Sequence, residues 1–165
     1  MKENWDRFIA LLAEMVDLYR VILELSMQKR ELLVAAKTKD LELLTQKEER
    51  VILQIGKLES ARGKLARQIA AEHGLDGDGL TLPQLRELTE PETASKLEEI
   101  AIEFGKIMGE LASVNQLNTE LIQQALSFVN YNINLLTRST VPQTYAARGQ
   151  GNQETQSLKL VDRRV

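Results

Sequence analysis

The residues able to do chemistry in this 165-residue chain are few, and their spacing assembles little. His73 is the one histidine and cysteine is absent. Disulfides, thiolate nucleophiles, zinc ribbons and iron–sulfur clusters are therefore excluded. A site of two histidines cannot be built from one copy, nor can a helical di-iron centre with paired Glu-x-x-His motifs. His73 stands before Gly74 at a helix end, where an imidazolium is favoured by the helix dipole, so its role reads as structural. Asp76-Gly77-Asp78-Gly79 looks like a calcium-loop fragment. However, the twelfth position counted from Asp76 is Glu87, inside a helical stretch beyond Pro83, so the segment reads as a plain loop. The remaining acids fall largely opposite the apolar seams, which disfavours a carboxylate-based hydrolase with convergent acids. No catalytic residue, metal or cofactor is expected. Binding is the chemistry left.

The elements that would carry a binding surface are helices. Apolar residues make up 43 % of the chain and aromatics 4 %, with nine Gly and three Pro, too little turn chemistry for many short strands. Phe8, Leu12, Met15, Tyr19 and Ile22 step by four and three, and the register continues through Ser26 and Lys29 to Leu33. After Lys37-Thr38-Lys39, Asp40 reads as an N-cap, with Glu42 favourable in the first turn. The second segment runs Leu41, Leu44, Glu48, Val51, Ile55, Leu58, Arg62, Leu65, Ile69 and stops at His73-Gly74. Residues 74–81 form a loop, and Thr81 caps a short helix that takes Pro83 in its first turn. From Pro91 a third seam runs Leu97, Ile100, Phe104, Ile107, Leu111, Val114, Asn118, Leu121, Ala125, Phe128, Asn132, Leu135 without a slip.

The expected fold is all-α: an elongated antiparallel three-helix bundle with coiled-coil-like packing and a disordered C-terminal tail. Helices are expected at about 3–36, 40–73 and 91–137, with a short one at about 82–88, so that residues 1–137 form the bundle and 138–165 a flexible docking tail. The third helix, at roughly 65–70 Å, would outreach the first two at roughly 50 Å each and leave apolar surface uncovered.

Charge divides along the same line. The net charge is −3, but residues 1–137 carry 16 Lys+Arg against 22 Asp+Glu. The last 28 residues hold five basic and two acidic residues. An acidic body gives no footprint for nucleic acid. The N-terminus MKENWDRF has acids where a signal peptide needs an apolar run, and no stretch approaches the roughly 20 apolar residues of a membrane span. A cytoplasmic protein without membrane insertion is expected. The tail is polar, with Tyr145 as its lone aromatic and Leu158, Leu160, Val161 and Val165 set among basic residues, the composition of a segment that docks on a partner.

Within the third seam three features stand out. Gly105-x-x-x-Gly109 reads as relief for a bulky neighbour such as Trp5 or Phe8. Asn118 and Asn132 occupy seam positions, either fixing register inside the bundle or facing a partner or solvent. From Val114 to Thr137 the only charged residue is Glu120, and Ile122, Leu126, Val129, Ile133 and Leu136 flank the seam. A helix so poor in charge opposite its core stripe points to a partner groove ahead of a purely internal core. Homodimerisation in the free state would explain it too.

These features resemble those of the FlgN family, the flagellar type III export chaperones for the hook–filament junction proteins. The resemblance is carried by LAEMVDLYRVILELSMQKRELLVAAKTKDLELLTQKEE (12–49), ILQIGKLESARGKLARQIA (52–70), LASVNQLNTELIQQALSFVNYNINLLT (111–137) and TYAARG (144–149). It implies a cytoplasmic helical chaperone without ATPase activity. Such a chaperone binds the C-terminal helical segment of junction proteins of the FlgK and FlgL type, keeps them unassembled, and delivers them to an export gate component of the FlhA type. The family's gate contact involves a tyrosine in its C-terminal region, which implies Tyr145 here. The substrate helix is expected on Leu121, Ile122, Ala125, Leu126, Phe128 and Val129. The competing expectation is a structural or adaptor coiled coil that homo-oligomerises through the third helix.

Overall fold

The computed structural model describes residues 2–75 and 81–139. They form four helices, α1 (Lys2–Val34), α2 (Thr38–Glu72), α3 (Leu82–Glu87) and α4 (Pro91–Ser139). Among the described residues there is no strand, so the all-α expectation holds, with a four-helix element order. The chain divides into two compact units, Met1–Val129 and Asn130–Val165. The first holds α1, α2, α3 and α4 as far as Val129; the described part of the second is residues 130–139. Tyr145 and the rest of the expected docking tail from residue 140 lie outside the described residues, as does the loop segment 76–80.

The turns follow from a few backbone groups. α2 ends in a Schellman arrangement: Leu75 N–H donates to Ala70 O (3.0 Å) and Gly74 N–H to Ala71 O (3.1 Å). Gly74 adopts φ +69°, which glycine takes without strain. α1 ends in the same arrangement, with Lys37 N–H donating to Leu32 O (3.0 Å) and Ala36 N–H to Leu33 O (3.2 Å). Here the left-handed position is filled by Ala36, at φ +53°. That turn corrects the expected cap: α2 begins at Thr38, with Lys37 as N-cap and no side-chain cap. The chain leaves Ala36 already curled, so Leu41 N–H reaches back to the Lys37 carbonyl (3.0 Å) and Asp40 falls in the first helical turn. Its carboxylate still suits the positive end of the dipole. Thr81 caps α3 as expected, its backbone N–H donating to Gln84 Oε1 at 2.9 Å.

Two apolar clusters hold the first unit together. In one, Trp5 and Phe8 of α1 meet Leu65, Ala66 and Ile69 of α2, Leu85 of α3 and Leu97 of α4. In the other, Val16, Ile22 and Leu23 of α1 meet Ile55 of α2 and Ile107, Leu111 and Val114 of α4. Pairings across the helices give their directions. Asn4 donates to Glu72 (2.6 Å) at one end of the α1–α2 pair and Lys29 pairs with Glu48 at the other, so these helices are antiparallel. Arg20 pairs with Glu103 and Ser26 meets Asn118, so α4 rises alongside α1 in the same sense. The expected role of Gly105 and Gly109 fails: a Cβ on either would meet nothing within 4 Å, and Trp5 and Phe8 pack elsewhere.

The left-handed Ala36 gives a direct test of this turn. A non-glycine residue in the left-handed region costs about 1–2 kcal/mol, and the greater unfolded-chain entropy of glycine offsets part of the gain, so Ala36→Gly should raise the unfolding free energy by about 0.5–1 kcal/mol. A urea midpoint that falls would show that the strain at Ala36 is smaller than the entropic cost of glycine.

Candidate functional site: the uncovered face of α4

α4 changes its surroundings without changing its pattern. From Leu97 through Ile107, Leu111 and Val114 to Asn118, the residues that recur every three or four positions are buried, with Ile100 and Phe104 half-buried among them. At about 100° per residue, Ile122, Ala125 and Val129 continue that same line. Yet Leu121 is only half-buried and Ala125 is exposed, while Ile122 is 41 % and Val129 50 % exposed. Leu126 (57 %) and Phe128 (68 %) flank the line on its two sides. All six expected groove residues therefore lie on one uncovered stretch of helix in the first unit. The line divides them into a continuing core face, Ile122, Ala125 and Val129, and two borders. Leu126 forms one border; Leu121 and Phe128, rotated the opposite way, form the other.

The cause lies in the covering helices. The last buried residue of α1 is Ser26, and the first of α2 is Leu44. Between them the hairpin carries exposed Val34 and Leu43 at its tip. In the second unit Tyr131, Ile133, Leu135 and Leu136 are exposed as well, and Asn132 is half-buried.

A polar layer marks the boundary between covered and uncovered α4. Asn118, 4 % exposed, donates its Nδ2 to the Ser26 carbonyl oxygen at 2.9 Å. Its Oδ1 is buried with no partner among the described residues. One turn along α1, Lys29 pairs with Glu48, which is buried on α2. Of the two readings of Asn118, the geometry favours register: a slip of α4 by one residue would break its bond and bury an unpaired amide. The Lys29–Glu48 pair was not anticipated. Its signal was available, since both residues sit at seam positions on neighbouring helices, where an isolated charge could not stay.

Other concave places among the described residues lie apart from this face. A cavity of about 320 Å³ opens between α1 and α4, lined by Leu12, Met15, Tyr19, Ile100 and Phe104. The rings of Tyr19 and Phe104 meet edge to face there, with centroids 5.0 Å apart. At its margin Arg62 holds the Glu59 carboxyl below its ordinary range by hydrogen bonding, Nε to Oε2 at 2.8 Å. A polar cleft beside His73 gathers Glu87, Glu90 and Glu92. However, the His73 Nδ1–H donates to the Ile69 carbonyl (2.8 Å), and Lys96 donates to Glu92 (2.7 Å). Among the described residues no group of three or more His, Asp or Glu is placed to hold a metal. No helix among them is long and apolar enough to cross a membrane.

Fold and face define a class: an all-helical protein that closes two apolar clusters and leaves one long apolar helix face uncovered. The chain belongs to the FlgN family, the flagellar export chaperones, whose family model, described as FlgN protein, matches residues 1–153. It is a family of chaperones rather than of enzymes. The chain is also 28 % identical over 119 residues to the uncharacterized protein YvyG of Bacillus subtilis (strain 168), covering 72 % of each. No solved structure matches it.

The polar layer predicts an asymmetry in stability. Lys29→Met alone leaves Glu48 buried and unpaired and should cost about 1–3 kcal/mol. Lys29→Met with Glu48→Leu should recover most of that loss. Equal losses for single and double variants in urea denaturation would show that the pair does not act as a unit.

Proposed function

We propose that the chain is an export chaperone whose uncovered α4 face receives the C-terminal helical segment of a hook-associated protein. The observation that carries this reading is the continuation of a core-type face, Ile122–Ala125–Val129, past the point where its cover stops. A substrate helix laid there would supply the packing that α1 and α2 supply upstream, the helix-in-groove mode of recognition. Leu121, Leu126 and Phe128 would form the margins of the groove. Junction proteins of the FlgK and FlgL type fit as substrates because, on the family resemblance, their C-terminal segments are helical and assemble with one another. Covering those segments would prevent premature assembly in the cytoplasm.

In this reading the three long helices serve as a coiled-coil-like scaffold over residues 1–137, and residues 138–165 serve as a docking tail. Tyr145 would make the contact with a gate component of the FlhA type. An aromatic anchor suits such a role, because it buries a large area at modest entropic cost. Two surfaces with two partners allow substrate to be held while the gate is engaged.

Calorimetric titration with the C-terminal segments of hook-associated proteins tests the substrate assignment. Leu126→Asp with Val129→Asp should lower affinity at least about tenfold, since two carboxylates would be buried in an apolar contact. Because both positions are exposed, the melting temperature should stay within a few degrees. No heat with any such segment would sink the chaperone reading, and a dimer that persists in light scattering with substrate present would favour the adaptor coiled coil. For the tail, Tyr145→Ala should weaken binding to the gate component and leave substrate affinity unchanged. An equal loss of both would refute the division of labour.

A further inference from the structure

A second surface, on α2, is built differently. Leu43, Arg50, Leu53, Lys57 and Lys64 recur along it at heptad-related spacing, and every one is exposed. Gln46 and Ser60 complete the row, so from Leu43 to Lys64 it contains no acid although the first unit is acidic as a whole. Five basic side chains elsewhere pair with carboxylates: Arg20 with Glu103, Lys29 with Glu48, Arg62 with Glu59, Arg86 with Glu98, Lys96 with Glu92. Arg50, Lys57 and Lys64 have no ion-pair partner among the described residues. Leu53, 68 % exposed, stands between Arg50 and Lys57, and Leu43, 58 % exposed, opens the row.

We infer that this row of α2 docks an acidic amphipathic helix of a partner protein. Charge complementarity selects the acid. The row sets three cations and two leucines at steps of three and four, which is the spacing that one face of a second helix presents. From Leu43 to Lys64 it runs about 32 Å, matching a partner helix of about 20 residues. Its narrowness argues against a lipid surface. Exposed Glu42 and Glu49 border the row, and a flat anionic bilayer would meet those carboxylates together with the cations. A partner helix contacts one stripe and avoids them. The leucines give a packing contribution that salt does not screen, whereas the cations give one that it does. This surface is separate from the α4 face and does not depend on what that face binds.

A fluorescein-labelled synthetic 21-residue helix with Leu and Glu at heptad spacing serves as the probe, titrated against the full chain by anisotropy. Binding should weaken about tenfold for Arg50→Glu/Lys57→Glu/Lys64→Glu, as expected for the loss of three exposed ion pairs. It should also weaken severalfold for Leu43→Ala/Leu53→Ala, a variant that leaves the charges intact. Raising salt from about 0.05 to about 0.5 M should abolish most of the first difference and preserve the second. The same peptide with Gln in place of Glu should bind weakly to all three proteins. Circular dichroism confirms that each variant is folded, and Lys57→Glu alone replaces the triple variant if that one is not. Undiminished binding by either multiple variant overturns the inference. So does tighter binding to vesicles of phosphatidylcholine and phosphatidylglycerol than to the peptide. Scattering mass that grows with protein concentration and reverts in the charge-reversed variant overturns it as well, because the occupant would then be a second copy of this chain.

Discussion

The structure depends on a mismatch of extent between one helix face and its cover. α4 runs for 49 residues, while burial on the α1–α2 hairpin stops at Ser26 and resumes at Leu44, short of the hairpin's tip. The apolar spacing of α4 does not stop where the α1–α2 hairpin ceases to bury it. An apolar face exposed to water is unfavourable in proportion to its area, and single domains seldom leave one uncovered without a partner. The same feature that closes the core upstream therefore creates the candidate binding face downstream, with no dedicated motif.

The polar layer at Ser26, Lys29, Glu48 and Asn118 gives that mismatch its fixed position. An all-apolar seam of Leu and Ile would tolerate α4 sliding by a turn, which would move the end of the covered region by several residues. A buried amide bonded to one carbonyl, beside a buried ion pair, removes that freedom. Stability is not the main effect of such a layer, since apolar replacements can match it. Its effect is to decide which residues of α4 are core and which are face.

Much of this was legible from residue spacing. The helices, their approximate ends and their all-α assembly follow from unbroken three- and four-residue steps and from punctuation such as His73-Gly74 and Thr81. The start of α2 was misread because the α1–α2 turn uses Ala36 at positive φ, with neither Gly nor Pro to mark it, and Asp40 offered a more conventional cap. Gly105 and Gly109 were given bulky neighbours that the packing places elsewhere, since spacing on one helix does not say which helix lies opposite. The residues of the proposed groove stand out in the sequence because this stretch lacks charge on several sides. Where covering ends could not be read, because the steps through Asn118 to Val129 are the same on both sides of the boundary. Exposure belongs to the neighbouring helices rather than to the sequence of α4. The basic row of α2 was hidden for a related reason: an acidic total masks a narrow stripe of the opposite sign.

The central claim is that α4 beyond Asn118 is a face waiting for a helix. Hydrogen exchange of the full-length chain tests it most directly, with and without the C-terminal segment of a hook-associated protein. The account predicts new protection concentrated at residues 121–129, with little change in the already covered stretch around residues 97–118. Protection confined to other helices, or none at saturating segment, would contradict it.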